Sequence, residues 1–226
     1  MKSQISNEKL NRACLLILTC VGYFFSNACQ SGILLDERFE DNRLLNWTVI
    51  DEPNTIEGID GHSQWLVETD GWLHQRSNLW GPPGDFINRW YGTLIVAGDA
   101  SWSDYVFMVK SKADDDDGFG VLFRFTDAQH FYRLLFIEDR WNGGPLTRLD
   151  RREGANYTEL WSAPSGYKPG VEMTIRIEVK GDLIRGFVDG QMFFEVHDNA
   201  YPKGKIGLFC YAQGGQAFDN VKVVSQ

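Results

Sequence analysis

The sequence predicts an all-β fold, either a sandwich or a barrel, and three observations support this. From Leu34 onward the chain shows almost no helical periodicity. About fourteen short segments rich in Val, Ile, Phe, Tyr and Trp follow one another at roughly ten-residue spacing, as expected for strands joined by turns. Gly-Asp and Asp-Gly pairs within residues 171–196 are typical of tight hairpins between consecutive strands.

Apolar and polar residues alternate along the predicted strands and give them two different faces. In chain order these strands are NWTVIDE, SQWLVETDG, WLHQRSN, GTLIVAGD, DYVFMVKSK, GVLFRFT, FYRLLFIED, LTRLDRRE, YTELWSAP, VEMTIRIEVKGD, LIRGFVDGQ, MFFEVHD, GKIGLFCYA and FDNVKVVS. In TIRIEVK, Ile175, Ile177 and Val179 lie on one side and charged residues on the other. One buried face and one solvated face indicate antiparallel sheets.

The strand GVLFRFT is apolar on both sides except at Arg124, so we expect it in the middle of a layer with both faces covered. Its hairpin with the next strand has two registers. One sets Arg124 opposite Arg133, an unfavourable like-charge pair, and the other sets it opposite Tyr132. The latter register predicts a site in which Arg124 and Tyr132 recognise a hydroxyl or carboxylate. The alternative is an internal pair between Arg124 and an acid such as Asp104.

The first 28 residues have the pattern of a secretory signal peptide. The basic segment MKSQISNEKLNR precedes the apolar run ACLLILTCVGYFF, which is too short to span a bilayer, and small residues follow before Cys29. We therefore expect residues 1–28 to be removed, residues 29–33 to form a short stem and residues 34–226 to form a single β-sandwich domain. This predicts a secreted protein or a membrane-anchored lipoprotein, in the periplasm or at the cell surface.

Cys29 also lies where a bacterial lipoprotein box places its lipidated cysteine. Ala28 fits that pattern, whereas Ser26 stands where leucine is usual, so lipidation stays open on the sequence. A lipid anchor at Cys29 would be the chain's contact with a membrane. Cys210 lies in the strand GKIGLFCYA and is expected to be buried and free, with a Cys29–Cys210 disulfide as the alternative.

Composition and net charge indicate the number of domains and the classes of molecule that the chain can bind. The 226 residues, 43% of them hydrophobic, suffice for one domain with a full core. Removal of residues 1–28 takes away three basic residues and one acid, which changes the formal charge from −9 to −11. Because an acidic chain binds polyanions poorly, we do not expect nucleic acid as a partner. We expect a monomer.

Three long stretches resemble one known fold family. They are LLDERFEDNRLLNWTVIDE, GDASWSDYVFMVKSKADDDDGFGVLFRFTDAQHFYRLLF and VDGQMFFEVHDNAYPKGKIGLFCYAQGGQAFDNVKV. From Leu35 to Val224 the chain is similar to the concanavalin A-like lectin/glucanase jelly roll, and within it to the laminin-G, thrombospondin C-terminal and fructan-binding-module group. The resemblance implies an antiparallel two-sheet jelly-roll β-sandwich. It leaves function open, because lectins, hydrolases, lyases and adhesion domains share this fold.

The resemblance also implies a structural calcium between the first and last strands. The matching carboxylates are Glu40 in FED and Asp219 in FDN, with loop carbonyls completing the oxygen shell that calcium prefers. The run DDDDG is a second calcium candidate, in which Asp115 and Asp117 point to the same side of an extended chain. The alternative is a solvated turn that bends at Gly118.

Three tryptophans in predicted loops, Trp80, Trp90 and Trp141, are candidate contacts for a sugar. A flat indole ring can stack on the C–H face of a sugar, and its N–H can donate to a hydroxyl. The long loops 51–63 and 79–89 are where binding residues are expected on a sandwich.

Motifs of catalysis are largely missing from the sequence. Retaining β-glucanases on this fold carry E-x-D-x-x-E on one strand, and ETDGWL supplies Glu68 and Asp70 but has Leu73 in place of the last acid. The sequence therefore favours an exported, non-catalytic carbohydrate-binding protein with structural calcium, whose partner is a glycan or polysaccharide. The alternatives are a polysaccharide-degrading glycoside hydrolase or lyase, and a thrombospondin-like adhesion domain.

Overall fold

The structure is a computed structural model that describes residues 32–41, 43–53, 55–58, 61–81 and 90–226. The predicted signal peptide and Cys29 lie outside these residues. Within these ranges, no helix is both long enough and apolar enough to cross a membrane.

Short strands account for almost all of the regular structure. They are β1 (Ile33–Glu37), β2 (Thr48–Asp51), β3 (Ile56–Glu57), β4 (Trp65–Val67), β5 (Leu73–Gln75), β6 (Leu79–Trp80), β7 (Thr93–Ala97), β8 (Tyr105–Ala113), β9 (Gly118–Asp127), β10 (His130–Ile137), β11 (Leu146–Glu153), β12 (Asn156–Ala163), β13 (Met173–Lys180), β14 (Leu183–Val188), β15 (Gln191–His197), β16 (Lys205–Tyr211) and β17 (Gln216–Ser225). A single-turn 3-10 helix, Arg140–Asn142, follows β10.

Two large antiparallel sheets form the sandwich. The eight-stranded sheet has the order β15-β14-β13-β8-β17-β5-β4, and β1 also pairs with β17. The seven-stranded sheet has the order β12-β11-β10-β9-β16-β7-β2, and β3 pairs with β6 separately. This architecture confirms the predicted antiparallel two-sheet jelly-roll sandwich.

The main core lies between the two sheets. Ile175, Ile177 and Val179 of β13 share one buried cluster with Phe119 and Val121 of β9, and each is at most 1% exposed. Burial of each such side chain stabilises the fold by roughly 1.5–3 kcal/mol. The alternation predicted for TIRIEVK is therefore confirmed.

The central strand β9 is covered on both faces. It pairs with β10 on one side and β16 on the other. Val121 belongs to the core between the sheets, whereas Leu122 packs with Phe209 and Trp90 in a second buried cluster on the outer face of the seven-stranded sheet. This confirms the prediction for GVLFRFT.

The hairpin between β9 and β10 differs from both predicted registers. Tyr132 lies opposite Phe123, and Arg133 lies opposite Leu122, because the pairing shifts at a bulge in the β9 segment that contains Arg124. Arg124 has a φ of 47°, in the left-handed region that side chains other than glycine rarely adopt. A bulge adds residues to one strand only, so an alternation pattern does not reveal it.

Cys210 is the next-to-last residue of β16, and its side chain is fully buried, as predicted. Its thiol forms no disulfide with any described residue. Burial raises the pKa of this thiol, because the thiolate would lose its hydration. The alternative disulfide partner, Cys29, lies outside the described residues.

Candidate functional site

The aspartate run forms a tight carboxylate cluster where β8 passes into β9. One carboxylate oxygen from each of Asp115, Asp116 and Asp117 lies within 4.8 Å of the others. Asn142 donates to Asp117 at 2.7 Å and to Asp139 at 2.8 Å, and so joins a fourth carboxylate to the group. We call these five residues the acidic corner.

Backbone contacts hold the loop of the acidic corner in place. The N–H of Asp139 donates to the carbonyl of Asp116 at 2.7 Å. The Tyr167 hydroxyl lies 2.8 Å from the carbonyl of Asp115 and 2.7 Å from that of Asp117. The Tyr167 hydroxyl and the Asp139 N–H therefore fix the backbone of the loop that carries the three aspartates.

The carboxylates of the acidic corner disfavour one another's charge. The pKa of Asp117 is raised to about 7, most of all by burial and then by the neighbouring charges of Asp115, Asp139 and Asp116, while the hydrogen bond from Asn142 opposes the rise. A bound cation would remove this repulsion, since it supplies the missing positive charge. The alternative of a solvated turn describes Asp115 and Asp116, which are exposed, but not the half-buried Asp117.

Trp141 projects from the acidic corner into solvent. It lies in the 3-10 turn Arg140–Asn142, whose first residue follows the cap Asp139, and the Asp139 carboxylate accepts from the N–H of Trp141 at 2.8 Å. The side chain is 94% exposed, the highest value among the exposed large hydrophobic residues of the described chain. The cap fixes the backbone of the turn, and the indole presents a flat surface to solvent.

The other two predicted sugar contacts are not on this surface. Trp90 is only 2% exposed, and its indole N–H donates to the carbonyl of Asn142 at 2.9 Å. Trp80, in β6, is half-buried and packs against the cluster on the outer face of the seven-stranded sheet. The structure therefore brings Trp90 and Trp141 to the acidic corner, with Trp90 underneath as a support, and leaves Trp80 elsewhere.

Arg124 and Tyr132 are fully buried, so their predicted role in reading a ligand is not matched by an exposed surface. One guanidinium nitrogen of Arg124 donates to the carbonyl of Gly181 at 2.7 Å and lies 3.7 Å from the Asp104 carboxylate. The hydroxyl of Tyr132 donates to Asp198. The internal pairing with Asp104, given above as the alternative, is the arrangement found.

The expected calcium ligands at the two ends of the domain lie apart from the acidic corner. Glu40 is an exposed turn residue after β1. Asp219 lies in β17 opposite Lys110, and partial burial raises its pKa. Neither belongs to a group of three or more close ligand atoms in the described part of the chain. A calcium between Glu40 and Asp219 stays a prediction.

Glu68 and Asp70, the two acids of the incomplete glucanase motif, each contact a basic side chain of this protein. Arg76 donates to both oxygens of Glu68, at 2.6 and 2.7 Å. Asp70 lies 3.0 Å from the ring nitrogen of His74, which is buried. These contacts hold Glu68 and Asp70 in a structural network at the edge of the eight-stranded sheet.

Sequence reasoning missed a buried ionic network on the outer face of the seven-stranded sheet. Arg133 lies 3.0 Å and Arg148 2.6 Å from the Asp150 carboxylate, and Arg152 pairs with Glu52. All five residues are at most 5% exposed. We call them the arginine layer. Its signal in the sequence is the alternation in LTRLDRRE, which puts Arg148, Asp150 and Arg152 on one face of β11.

The arginine layer ties distant segments together. Glu52 accepts from the backbone N–H of Gly92 at 2.8 Å and from the Tyr157 hydroxyl at 2.7 Å. Burial raises the pKa of Glu52, and the charge of Arg152 opposes that rise. The guanidinium of Arg148 lies 4.4 Å from the centre of the Trp90 ring, so the layer also supports the floor of the acidic corner.

A protein-family model described as a 3-keto-alpha-glucoside-1,2-lyase-like domain matches residues 37–224. The match covers most of the chain and nearly all of the sandwich. No curated protein matches the chain.

Solved structures show the same fold at low sequence identity. The carbohydrate-binding module CBM66 from Bacillus subtilis is 18% identical, with a TM-score of 0.60 over 80% of this chain and 96% of that one. Domain 4 of AbnA, a GH43 extracellular arabinanase from Geobacillus stearothermophilus solved with arabinotriose, is 13% identical, with a TM-score of 0.50 over 86% and 93%. The GH43 protein BlXynB from Bacillus licheniformis is 14% identical, with a TM-score of 0.55 over 84% and 39%. These likenesses confirm the concanavalin A-like jelly roll, and the narrower laminin-G, thrombospondin and fructan-binding grouping stays a prediction.

Proposed function

The chain belongs to the 3-keto-alpha-glucoside-1,2-lyase-like domain family, and from this membership we propose that it binds a saccharide at the acidic corner. The family description names a glucoside-type ligand. Two of the similar structures are a carbohydrate-binding module and a domain solved with arabinotriose, which supports the same class of ligand here.

The observation that carries this proposal is the position of Trp141. Its ring is 94% exposed and is held next to Asn142 and the carboxylates of the acidic corner. A sugar has an apolar C–H face and polar hydroxyl edges, and it is recognised by an aromatic ring with hydrogen-bonding groups beside it. Stacking on Trp141 would bring the hydroxyl edge of a sugar to these groups.

The acidic corner is also where we propose that calcium binds. Calcium takes six to eight oxygen ligands and accepts several carboxylates at once. Asp115, Asp116 and Asp117 supply three carboxylates close enough for one ion. Burial and the repulsion between neighbouring carboxylates raise the pKa of Asp117 to about 7. Calcium there would neutralise the repulsion and would fix the turn that carries Trp141.

A glycan array tests the proposal directly. We expect the full chain to bind a defined set of glycans in calcium, and to bind them more weakly after treatment with chelator. Binding that is unchanged by chelator would show that saccharide binding does not depend on calcium. The absence of binding to any glycan, together with capture of a protein ligand, would instead support the adhesion alternative.

A second candidate is a lyase that acts on a 3-keto-glucoside, and the family description favours it. In such a 1,2-elimination a base removes the C2 proton, which the ketone at C3 acidifies, and the electron pair forms an enolate. When the ketone re-forms, a C1–C2 double bond appears and the C1–O bond breaks, and the leaving alcohol takes up a proton. The reaction needs a base at C2 and positive groups near the C3 oxygen.

The arginine layer contains three guanidinium groups, which are of the type that stabilises an enolate, but all five of its residues are at most 5% exposed. Both carboxylates are already held, however: Asp150 by Arg133 and Arg148, and Glu52 by Arg152. Neither is therefore poised to take a proton, and we place the lyase second. Incubation with a 3-keto-disaccharide, followed by mass spectrometry, would reveal release of one sugar and an unsaturated keto-sugar if the lyase reading is right.

A further inference from the structure

An open cleft lies at the opposite end of β9 from the acidic corner. Its volume is about 540 Å³, and its walls include Ser101, Thr126, Tyr201, Pro202 and Lys203. The acidic corner precedes the first residues of β9, whereas Thr126 is next to its last residue. At about 3.3 Å per residue, the two places are separated by roughly 30 Å along the strand.

Two backbone features lie beside the cleft. The bulge at Arg124, with its φ of 47°, breaks the regular course of β9. The loop 200–204 lies directly on this bulge, since a Cβ added at Gly204 would come within 2.4 Å of the backbone carbon of Arg124. Gly204 also has a φ of 153°. Arg124, predicted above to contact a ligand, is instead buried beneath the loop 200–204, which forms one wall of the cleft.

Tyr201 is held rigidly as one wall of this cleft. Its hydroxyl donates to the carbonyl of Arg152 at 2.5 Å, and its backbone N–H donates to the Tyr132 hydroxyl at 3.3 Å. Its ring packs edge-on against the ring of Tyr132, with 5.3 Å between the centres. A ligand that stacks on Tyr201 would not need to order the ring, which lowers the entropic cost of binding.

The surface of the cleft is mostly apolar, and the polar side chains among the residues that line it carry no excess charge. Ser101 and Thr126 supply hydroxyl groups, Lys203 an ammonium and Asp99 a carboxylate. Hydrogen bonds from Ser101 lower the pKa of Asp99, so it stays ionised at neutral pH and accepts hydrogen bonds. One anion and one cation beside an aromatic ring favour a neutral polyhydroxyl ligand over a sugar acid.

We propose that this cleft is a second saccharide site, which takes one or two units of a neutral sugar. Its volume falls within the roughly 300–1,000 Å³ of small-molecule sites. The site does not depend on the acidic corner, because the two lie at opposite ends of β9 and share no residue. The protein therefore has two places at which saccharide units can bind.

Two-dimensional NMR of the ¹⁵N-labelled full chain tests this, with maltotriose, cellotriose, arabinotriose and, as the acidic comparison, trigalacturonate as probes. We expect saturable shifts of the Thr126, Tyr201 and Lys203 amides with a neutral trisaccharide, and weaker ones with trigalacturonate. The shifts should persist in chelator and in Trp141→Ala, which separates this site from the acidic corner. No saturable shift at these three amides with any of the four probes would overturn the proposal.

Variants of Tyr201 distinguish binding from folding. Tyr201→Phe keeps the ring and loses only its hydroxyl, so binding should stay within about twofold of the original. Tyr201→Ala removes the stacking surface and should weaken binding about tenfold or more. Lys203→Ala, at an exposed position, should weaken binding without lowering the unfolding midpoint. Unchanged affinity in both Tyr201→Ala and Lys203→Ala would also overturn the proposal.

Discussion

The indole N–H of Trp90 donates a hydrogen bond to the backbone carbonyl of Asn142, 2.9 Å away. This bond joins residues 52 positions apart in the chain. Asn142 in turn bridges the carboxylates of Asp117 and Asp139. The buried tryptophan therefore fixes the turn that carries the exposed Trp141.

Trp90→Phe should lower both stability and saccharide affinity. The change leaves the Asn142 carbonyl without its donor, and the loss of one hydrogen bond costs about 1 kcal/mol. It also replaces the indole on which Arg148 stacks by a smaller ring. Urea unfolding and titration calorimetry measure the two effects. Trp47→Phe is the matched control, because the buried indole N–H of Trp47 has no acceptor among the described residues. Equal losses of affinity in both variants would show that Trp90 has no special role.

The raised pKa of Asp117 predicts a pH dependence of stability that calcium removes. Since the folded state holds the pKa of this carboxyl at about 7, above its ordinary value of 3.8, folding favours the protonated form. Without metal, stability should therefore fall as pH rises from about 4 to about 7, and then level off. Urea unfolding in chelator at pH 5 and pH 8 measures this fall.

Two variants and added calcium check the origin of that fall. Asp117→Asn should remove most of the difference between pH 5 and pH 8, whereas Asp114→Asn, at an exposed residue outside the group of three, should leave it in place. Calcium should raise the stability at pH 8 more than at pH 5. A wild-type stability that is the same at both pH values in chelator would contradict the account of the acidic corner.

The arginine layer should be essential for stability. Arg133→Met leaves the buried carboxylate of Asp150 with one partner fewer, and breaking a buried pair of this kind costs about 3 kcal/mol or more. The double variant Arg133→Met/Asp150→Leu should recover part of this loss, because it leaves less uncompensated charge. Arg185→Ala, which removes an exposed pair with Glu195, should cost less than about 1 kcal/mol. Comparable unfolding free energies for Arg133→Met and Arg185→Ala would contradict this.

Export should leave Cys29 as the first residue of the mature chain. The basic, apolar and small-residue segments before it motivate this prediction. Mass measurement of the exported protein determines its N-terminus, and labelling with a palmitate analogue reports lipidation. Retention of Met1 in the exported protein would refute the prediction of a signal peptide.

The strands and core could be predicted because they depend on local periodicity. Ile175, Ile177 and Val179 alternate with charged residues, and the structure buries all three. The cluster at Asp115–Asp117 was also visible, because its members are consecutive in the chain. The exposure of Trp141 agrees with its place between turn residues.

Features that join distant segments were not visible in the sequence. The pairing of Arg152 with Glu52 spans a hundred positions, and no local pattern reveals it. The burial of Arg124 depends on a bulge that shifts the register, and the cleft beside it depends on a glycine at position 204. In each case the role of the residue depends on a contact between segments that are distant in the sequence, so the residue type alone does not reveal that role.

Titration calorimetry in calcium, with a glycan identified on the array, tests most directly whether saccharide binds on Trp141. Trp141→Ala should weaken binding about tenfold or more, and Trp141→Phe should keep a substantial part of it, because a ring remains. Met192→Ala, which shortens an exposed apolar side chain on the eight-stranded sheet, should bind as the original does. Because Trp141 is 94% exposed, none of these changes should alter the unfolding midpoint by more than a small amount. An affinity of Trp141→Ala equal to that of Met192→Ala would contradict the account.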